Sequence, residues 1–127
     1  MREIFRHDRL AIAMIESALI FEAERAGTVP GWRQRFDRII LVTAPDEVKI
    51  SRYVARIAAS GDFNQEQLAA LRADARARLS AQIPDREKNP LCQFVIDNSG
   101  SLEATRRSVD ALYPVLQAET RAHTGRL

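Results

Sequence analysis

The 127 residues suffice for one modest hydrophobic core, and an apolar share of 46% is ordinary for a globular protein. A formal net charge of +2 with no block of like charge argues against a nucleic-acid or membrane-surface partner. One cysteine, Cys92, excludes an internal disulfide and a thiolate metal site built on it alone, while the charged start MREIFRHDRL is no signal peptide and no apolar run can span a bilayer, so a soluble, cytoplasmic protein is expected.

Residues 1–9 are polar and read as irregular or as the end of a helix. Leu10 to Ile15 is an uninterrupted apolar run that reads as a buried strand. Glu16 and Ser17 follow it, where ligands bind at the carboxyl ends of strands in open α/β sheets, although a solvated turn with a helix cap explains them equally well. Gly27 to Gly31 is a loop, and the aromatics of Trp32 to Phe36 are expected to cover the edge of the core.

Arg38 to Arg56, RIILVTAPDEVKISRYVAR, organises the rest. Ile39 to Thr43 is apolar or β-branched throughout, as suits a strand buried on both faces of a parallel sheet. Pro45 marks a helix start, and Asp46 and Glu47 place negative charge at the positive end of the helix dipole. Val48, Ile50, Val54 and Ile57 supply the apolar side, while Arg52 and Arg56, four apart, share another face. Two arginines displayed together by such a helix are a first pointer to an anionic ligand.

Ser60-Gly61-Asp62 breaks that helix, and a polar helix with a narrow apolar stripe (Leu68, Leu71, Leu79) is predicted from about Asn64 to Gln82. Two readings of it stay open: a mobile lid over a phosphate site, or a solvent-exposed helical hairpin. Pro84 interrupts it, and Asp85 to Lys88 is a charged turn or short helix ended by Asn89-Pro90. Phe94-Val95-Ile96 is a third buried strand. It runs into a polar turn, Asp97 to Gly100, where the glycine is expected to take a positive φ. Ser101 is the N-cap of a last helix whose core side is Leu102, Val109, Leu112, Val115 and Leu116, despite Pro114. Three strands separated by helices predict an α/β fold with a parallel sheet and right-handed crossovers. His7 and His123 have no metal-ligand spacing around them, and Cys92 reads as a small core residue.

In order and spacing, four stretches resemble the C-terminal part of the dephospho-CoA kinase family, which are P-loop kinases. They are ESALIFE (16–22), RIILVTAPDEVKISRYVAR (38–56), RLSAQIPDREK (78–88) and FVIDNSGSLE (94–103). The resemblance implies a partial three-layer P-loop-kinase-type fold: one incomplete nucleotide-kinase domain over 1–127, with a short parallel sheet flanked by helices and a helical lid at about 56–88. It implies transfer of the γ-phosphoryl group of ATP, with Mg²⁺, to the 3′-hydroxyl of dephospho-CoA, the last step of coenzyme A synthesis. Arg52 matches the lid-hinge arginine that contacts the phosphates and would stabilise transition-state charge, with Arg56 beside it. Asn98 and Gly100 match the turn beside the adenine. Glu22 and Gln82 match family positions without an assigned role.

The sequence departs from the family in one respect. It contains no G-x-x-x-x-G-K-[ST] motif, and neither the P-loop nor the aspartate expected to serve as base is found in it. We therefore expect the C-terminal portion of a longer kinase, inactive alone. Two further readings remain: another kinase of nucleoside-monophosphate-kinase architecture, and a non-catalytic α/β interaction module.

Overall fold

The computed structural model describes residues 6–125, with side chains described for 6–122. The chain divides into two compact units: Leu19–Ser99, and the described residues to either side of it.

The larger unit begins with helix α1 (Ile20–Arg25) and a 3₁₀ turn, Trp32–Arg35. Strand β1 (Ile40–Thr43) and helix α2 (Asp46–Ala58) follow, then α3 (Gln65–Ser80), the short α4 (Asp85–Lys88), a second 3₁₀ turn (Asn89–Leu91) and strand β2 (Phe94–Asp97). β1 and β2 pair in parallel, with Ile40 opposite Phe94 and Thr43 opposite Asp97. A parallel pair needs a long crossover, and α2, α3 and α4 supply it.

The core lies mainly between helices. Ile50 and Val54 of α2 are buried with Ala75 of α3, and Leu68, Leu71, Leu79 and Tyr53 pack around them. Burying an aliphatic side chain of this size contributes about 1.5–3 kcal/mol. Since Ala75 is the one buried residue of α3, that helix is anchored by its flanking leucines. The start of α3 is fixed independently by a capping box. Asn64 Oδ1 accepts from Gln67 N at 2.8 Å, and Gln67 Oε1 accepts from Asn64 N at 2.9 Å, an arrangement whose loss costs about 1 kcal/mol. The two long helices thus form a hairpin. A separate aromatic cluster forms where buried Trp32 meets Phe21 and Phe36 edge-on, with ring centroids 5.4 and 5.9 Å away.

Several expectations are corrected. Among the described residues the sheet has two strands, not three. Leu10 to Ile15 is irregular, and Leu10, Ile12, Met14 and Ile15 are exposed, Met14 by 70%. An apolar run becomes a strand only when its backbone N–H and C=O groups find a ladder, and this one has none. Glu16 and Ser17 therefore follow no strand end, and both are exposed. β1 is not buried on both faces either. Leu41 is buried while its register partner Val95 is exposed, and Val42 is exposed while its partner Ile96 is buried. Each face of the ribbon is thus covered over one strand.

In the smaller unit, α5 (Leu102–Gly125) starts as expected, with Ser101 Oγ accepting from Ala104 N at 3.1 Å. Its predicted core side is only half realised: Leu112 and Leu116 are partly buried, whereas Leu102, Val109 and Val115 are exposed. Gly100 is also corrected. Positive φ among the described residues occurs at Gly27 and Gly31, not at Gly100, where an added Cβ would make an ordinary 3.7 Å contact with Ala104. Among the described residues no helix is long and apolar enough to cross a membrane.

Candidate functional site

The carboxyl end of β1 turns at Ala44-Pro45 into α2, and Pro45 stands as the N-cap with an extended backbone. β2 ends in the same register, with Asp97 opposite Thr43. There the Asn98 N–H donates to the Thr43 carbonyl at 2.7 Å, holding the two strand ends together. Asp97 Oδ1 accepts from Ser99 N at 2.9 Å, which tightens the turn, and hydrogen bonds from the Ser99 hydroxyl first and its N–H second hold the Asp97 carboxyl below its usual pKa.

A cavity of about 250 Å³ opens at this junction, lined by Val42, Thr43, Ala44, Lys49, Arg52, Tyr53, Arg56 and Asn98. It lies at the carboxyl end of the parallel strands, where open α/β sheets bind ligands. Pockets for whole drug-sized ligands begin at roughly 300 Å³, so its size suits the phosphates better than an entire nucleotide. Three of the lining residues are cations, and none is a carboxylate. The Arg52 guanidinium donates to the Asn98 carbonyl, so a helix side chain is braced on the turn after β2. Arg56 stands over the Tyr53 ring, 6.0 Å from its centroid, with Arg78 of α3 at 5.7 Å. The Tyr53 hydroxyl donates to Asp74 at 2.9 Å, and that bond raises its pKa above the usual 10.0.

Arg52, Arg56 and Asn98 are thus brought together. The contact Asn98 makes with Arg52 runs through its backbone carbonyl rather than the side-chain amide expected to read a base. Gly100 lies in the other unit. Lys49 is a cation of this cavity that sequence reasoning missed, though a signal was available: positions 49, 52 and 56 share one face of a helix.

Glu22 and Gln82 stand elsewhere. The Glu22 carboxylate accepts from Ile83 N at 3.0 Å and from the Lys88 ammonium at 2.9 Å, and Lys88 is buried. Burial is the largest single influence on this carboxyl and would raise it. The hydrogen bonds from Lys88, from Ile83 N–H and from its own backbone N–H, with the charge of Lys88, together outweigh that influence, so its pKa falls below the usual 4.5. Gln82 is half-buried and donates its N–H to the Leu79 carbonyl, just past the end of α3. Glu22 therefore clamps the chain leaving α3 onto α1. Nothing local in the sequence signals this pairing, because the partners are far apart along the chain.

A second cavity of about 180 Å³ lies near the clamp, lined by Phe21, Glu24, Arg25, Arg33, Ile83, Glu87, Lys88 and Leu91. Its cations are matched by carboxylates: Arg33 by Glu24 at 2.6 Å, Arg25 by Glu87 at 3.8 Å, and Lys88 by Glu22. Such internal neutralisation marks it as structural. Cys92 donates to the Lys88 carbonyl at 3.3 Å, and burial pushes its thiol pKa up from 9.0, in keeping with a packed thiol rather than a nucleophile.

A parallel strand pair with a helical crossover and cations gathered at the strand ends places the chain among α/β proteins, as a partial P-loop-kinase fold. More particularly, the chain belongs to the dephospho-CoA kinase family, whose model matches residues 1–104. A dephospho-CoA kinase of Mesorhizobium japonicum is 37% identical over 109 residues, 86% of this chain and 46% of the relative. Those of Brucella melitensis and Thermus thermophilus are each 32% identical over 114 residues, covering 90% of this chain and 48% and 47% of the relatives. The chain spans about half the length of these curated relatives. No solved structure is significantly similar to it.

Proposed function

We propose that this chain supplies the phosphate-side arginines and the lid of a cytoplasmic kinase that transfers the γ-phosphoryl group of ATP to the 3′-hydroxyl of dephospho-CoA. The observation that carries the reading is the carboxylate-free cavity where Lys49, Arg52 and Arg56 line the junction of β1, α2 and the turn after β2. Phosphoryl transfer spreads negative charge over the equatorial oxygens, and pre-positioned cations that need no reorganisation stabilise it. Arg52 suits the task because its planar fork binds phosphate oxygens bidentately, and its brace on Asn98 limits where that fork points. Arg56 is the second nucleotide-side cation. The segment of about 56–88, which holds α3 and α4, is the lid, and Asn98 with Gly100 belongs to the adenine-side turn.

The phosphates fit this lining. Mg²⁺ does not find ligands here: the lining has no carboxylate, and no group of three His, Cys, Asp or Glu among the described residues could hold a metal ion. The 127 residues also contain no glycine-rich phosphate cradle. We therefore assign the metal, the β- and γ-phosphate cradle and the base for the accepting hydroxyl to residues not in this sequence.

The reading is tested by a chimera in which this chain replaces the matching stretch of the Mesorhizobium japonicum kinase. It is expected to convert dephospho-CoA and ATP into coenzyme A and ADP, followed by mass spectrometry. A folded chimera that phosphorylates nucleoside monophosphates but not dephospho-CoA would favour the broader kinase class instead. One that phosphorylates neither would favour a non-catalytic module.

A further inference from the structure

Lys49, Arg52, Tyr53 and Arg56 fall within ~100° of one another around α2, given a helical step of about 100° per residue, and all four line the same cavity. Lys49 differs from the two arginines in its partner. Its ammonium is 2.8 Å from Asp85 Oδ2, with both side chains mostly buried. Asp85 is the first residue of α4 and does not line the cavity. It follows Ile83 and Pro84, the stretch that the Glu22 clamp holds on α1. Lys49 therefore stands between two acceptor sites, a carboxylate at the foot of the hairpin and whatever anion fills the cavity.

We propose that Lys49 is a third phosphate-binding cation of this site, and that the Asp85 carboxylate competes with the ligand for it. The proposal rests on the phosphate reading of the cavity and adds to it a ligand-binding role for Lys49 and a coupling to Asp85. An ammonium on a four-carbon stem is mobile and carries three donors, so it can turn from carboxylate to phosphate without moving the helix. Linkage makes the effect reciprocal. A phosphate ligand that draws Lys49 away loosens α4 and the chain leaving α3, and removing Asp85 strengthens phosphate binding. Phosphate occupancy is thereby communicated to the base of the hairpin.

The test is calorimetric titration of the purified chain with inorganic tripolyphosphate, at low salt because exposed charges are screened. Lys49→Met is expected to weaken binding about fivefold to tenfold, and Asp85→Asn to tighten it about threefold, in line with a partly exposed ion pair. In the double variant the gain from Asp85→Asn disappears, and a control Glu47→Gln leaves the affinity within about twofold of the parent. Hydrogen exchange of the 83–91 amides should quicken on tripolyphosphate addition in the parent and not in Lys49→Met. If Lys49→Met unfolds, judged by circular dichroism, Lys49→Gln takes its place. Binding that Arg52→Ala weakens while the Lys49 and Asp85 variants leave it unchanged overturns the Lys49 proposal alone. Binding that none of the three changes overturns the phosphate reading with it.

Discussion

Arg52→Ala is expected to weaken the binding of ATP and of tripolyphosphate by about tenfold to a hundredfold, since a hydrogen bond to a charged group contributes about 1.5–3 kcal/mol. The same substitution should scarcely alter stability. Arg52 is exposed, and its bond to the Asn98 carbonyl is one contact at the edge of the unit rather than part of the core. Arg52→Lys is expected to recover part of the affinity but not all, because an ammonium cannot hold two phosphate oxygens in a planar fork. Titration calorimetry beside thermal melting separates the two effects. A large loss of melting temperature with unchanged affinity would make Arg52 a structural brace only.

Glu22→Ala should act in the opposite way, costing about 3 kcal/mol in stability. It strands the buried Lys88 ammonium without its carboxylate and leaves Ile83 N–H without its acceptor, and breaking a buried pair costs about 3–5 kcal/mol. The loss falls at the low end because Glu22 keeps some contact with solvent. Replacing Lys88 by Met in the Glu22→Ala background should return much of the loss, since the uncompensated charge is then gone. The pair also gives stability a pH dependence. The Glu22 carboxyl titrates below its usual 4.5 in the folded chain, so its contribution is fully present above that value and declines as pH falls through the lowered pKa. Urea denaturation from pH 7 down to pH 3 checks both statements. A Glu22→Ala variant within about 0.5 kcal/mol of the parent would remove the clamp from the account.

The contrast between these two residues shows how much of the molecule can be read from its sequence. The β1–α2 unit, the break at Ser60–Asp62, the α3 start at Asn64 and the Ser101 cap are written in local chemistry: a short β-branched run, a proline, a side chain that accepts from its own helix. The meeting of Arg52 with Asn98 was legible only through the order of segments, because a parallel pair aligns the ends of its strands whatever lies between. Local pattern failed where a partner decides the outcome. Leu10 to Ile15 has strand composition and no ladder, and Leu102 and Val115 have helical spacing and remain exposed. Gly100 invited a positive φ that the turn does not use, because the Asp97 carboxylate already closes it through Ser99. Lys49 was missed for a different reason. Its spacing with Arg52 and Arg56 was visible, but one lysine in a charged helix is unremarkable until the cavity shows which face it shares.

The most direct measurement is a map of tripolyphosphate binding on the chain by NMR, following backbone amides and arginine side chains. The account predicts shifts concentrated at Thr43, Lys49, Arg52, Arg56 and Asn98, with smaller ones near Asp85. Shifts confined to the cavity of Arg25, Arg33 and Lys88, or none that saturate, would contradict it.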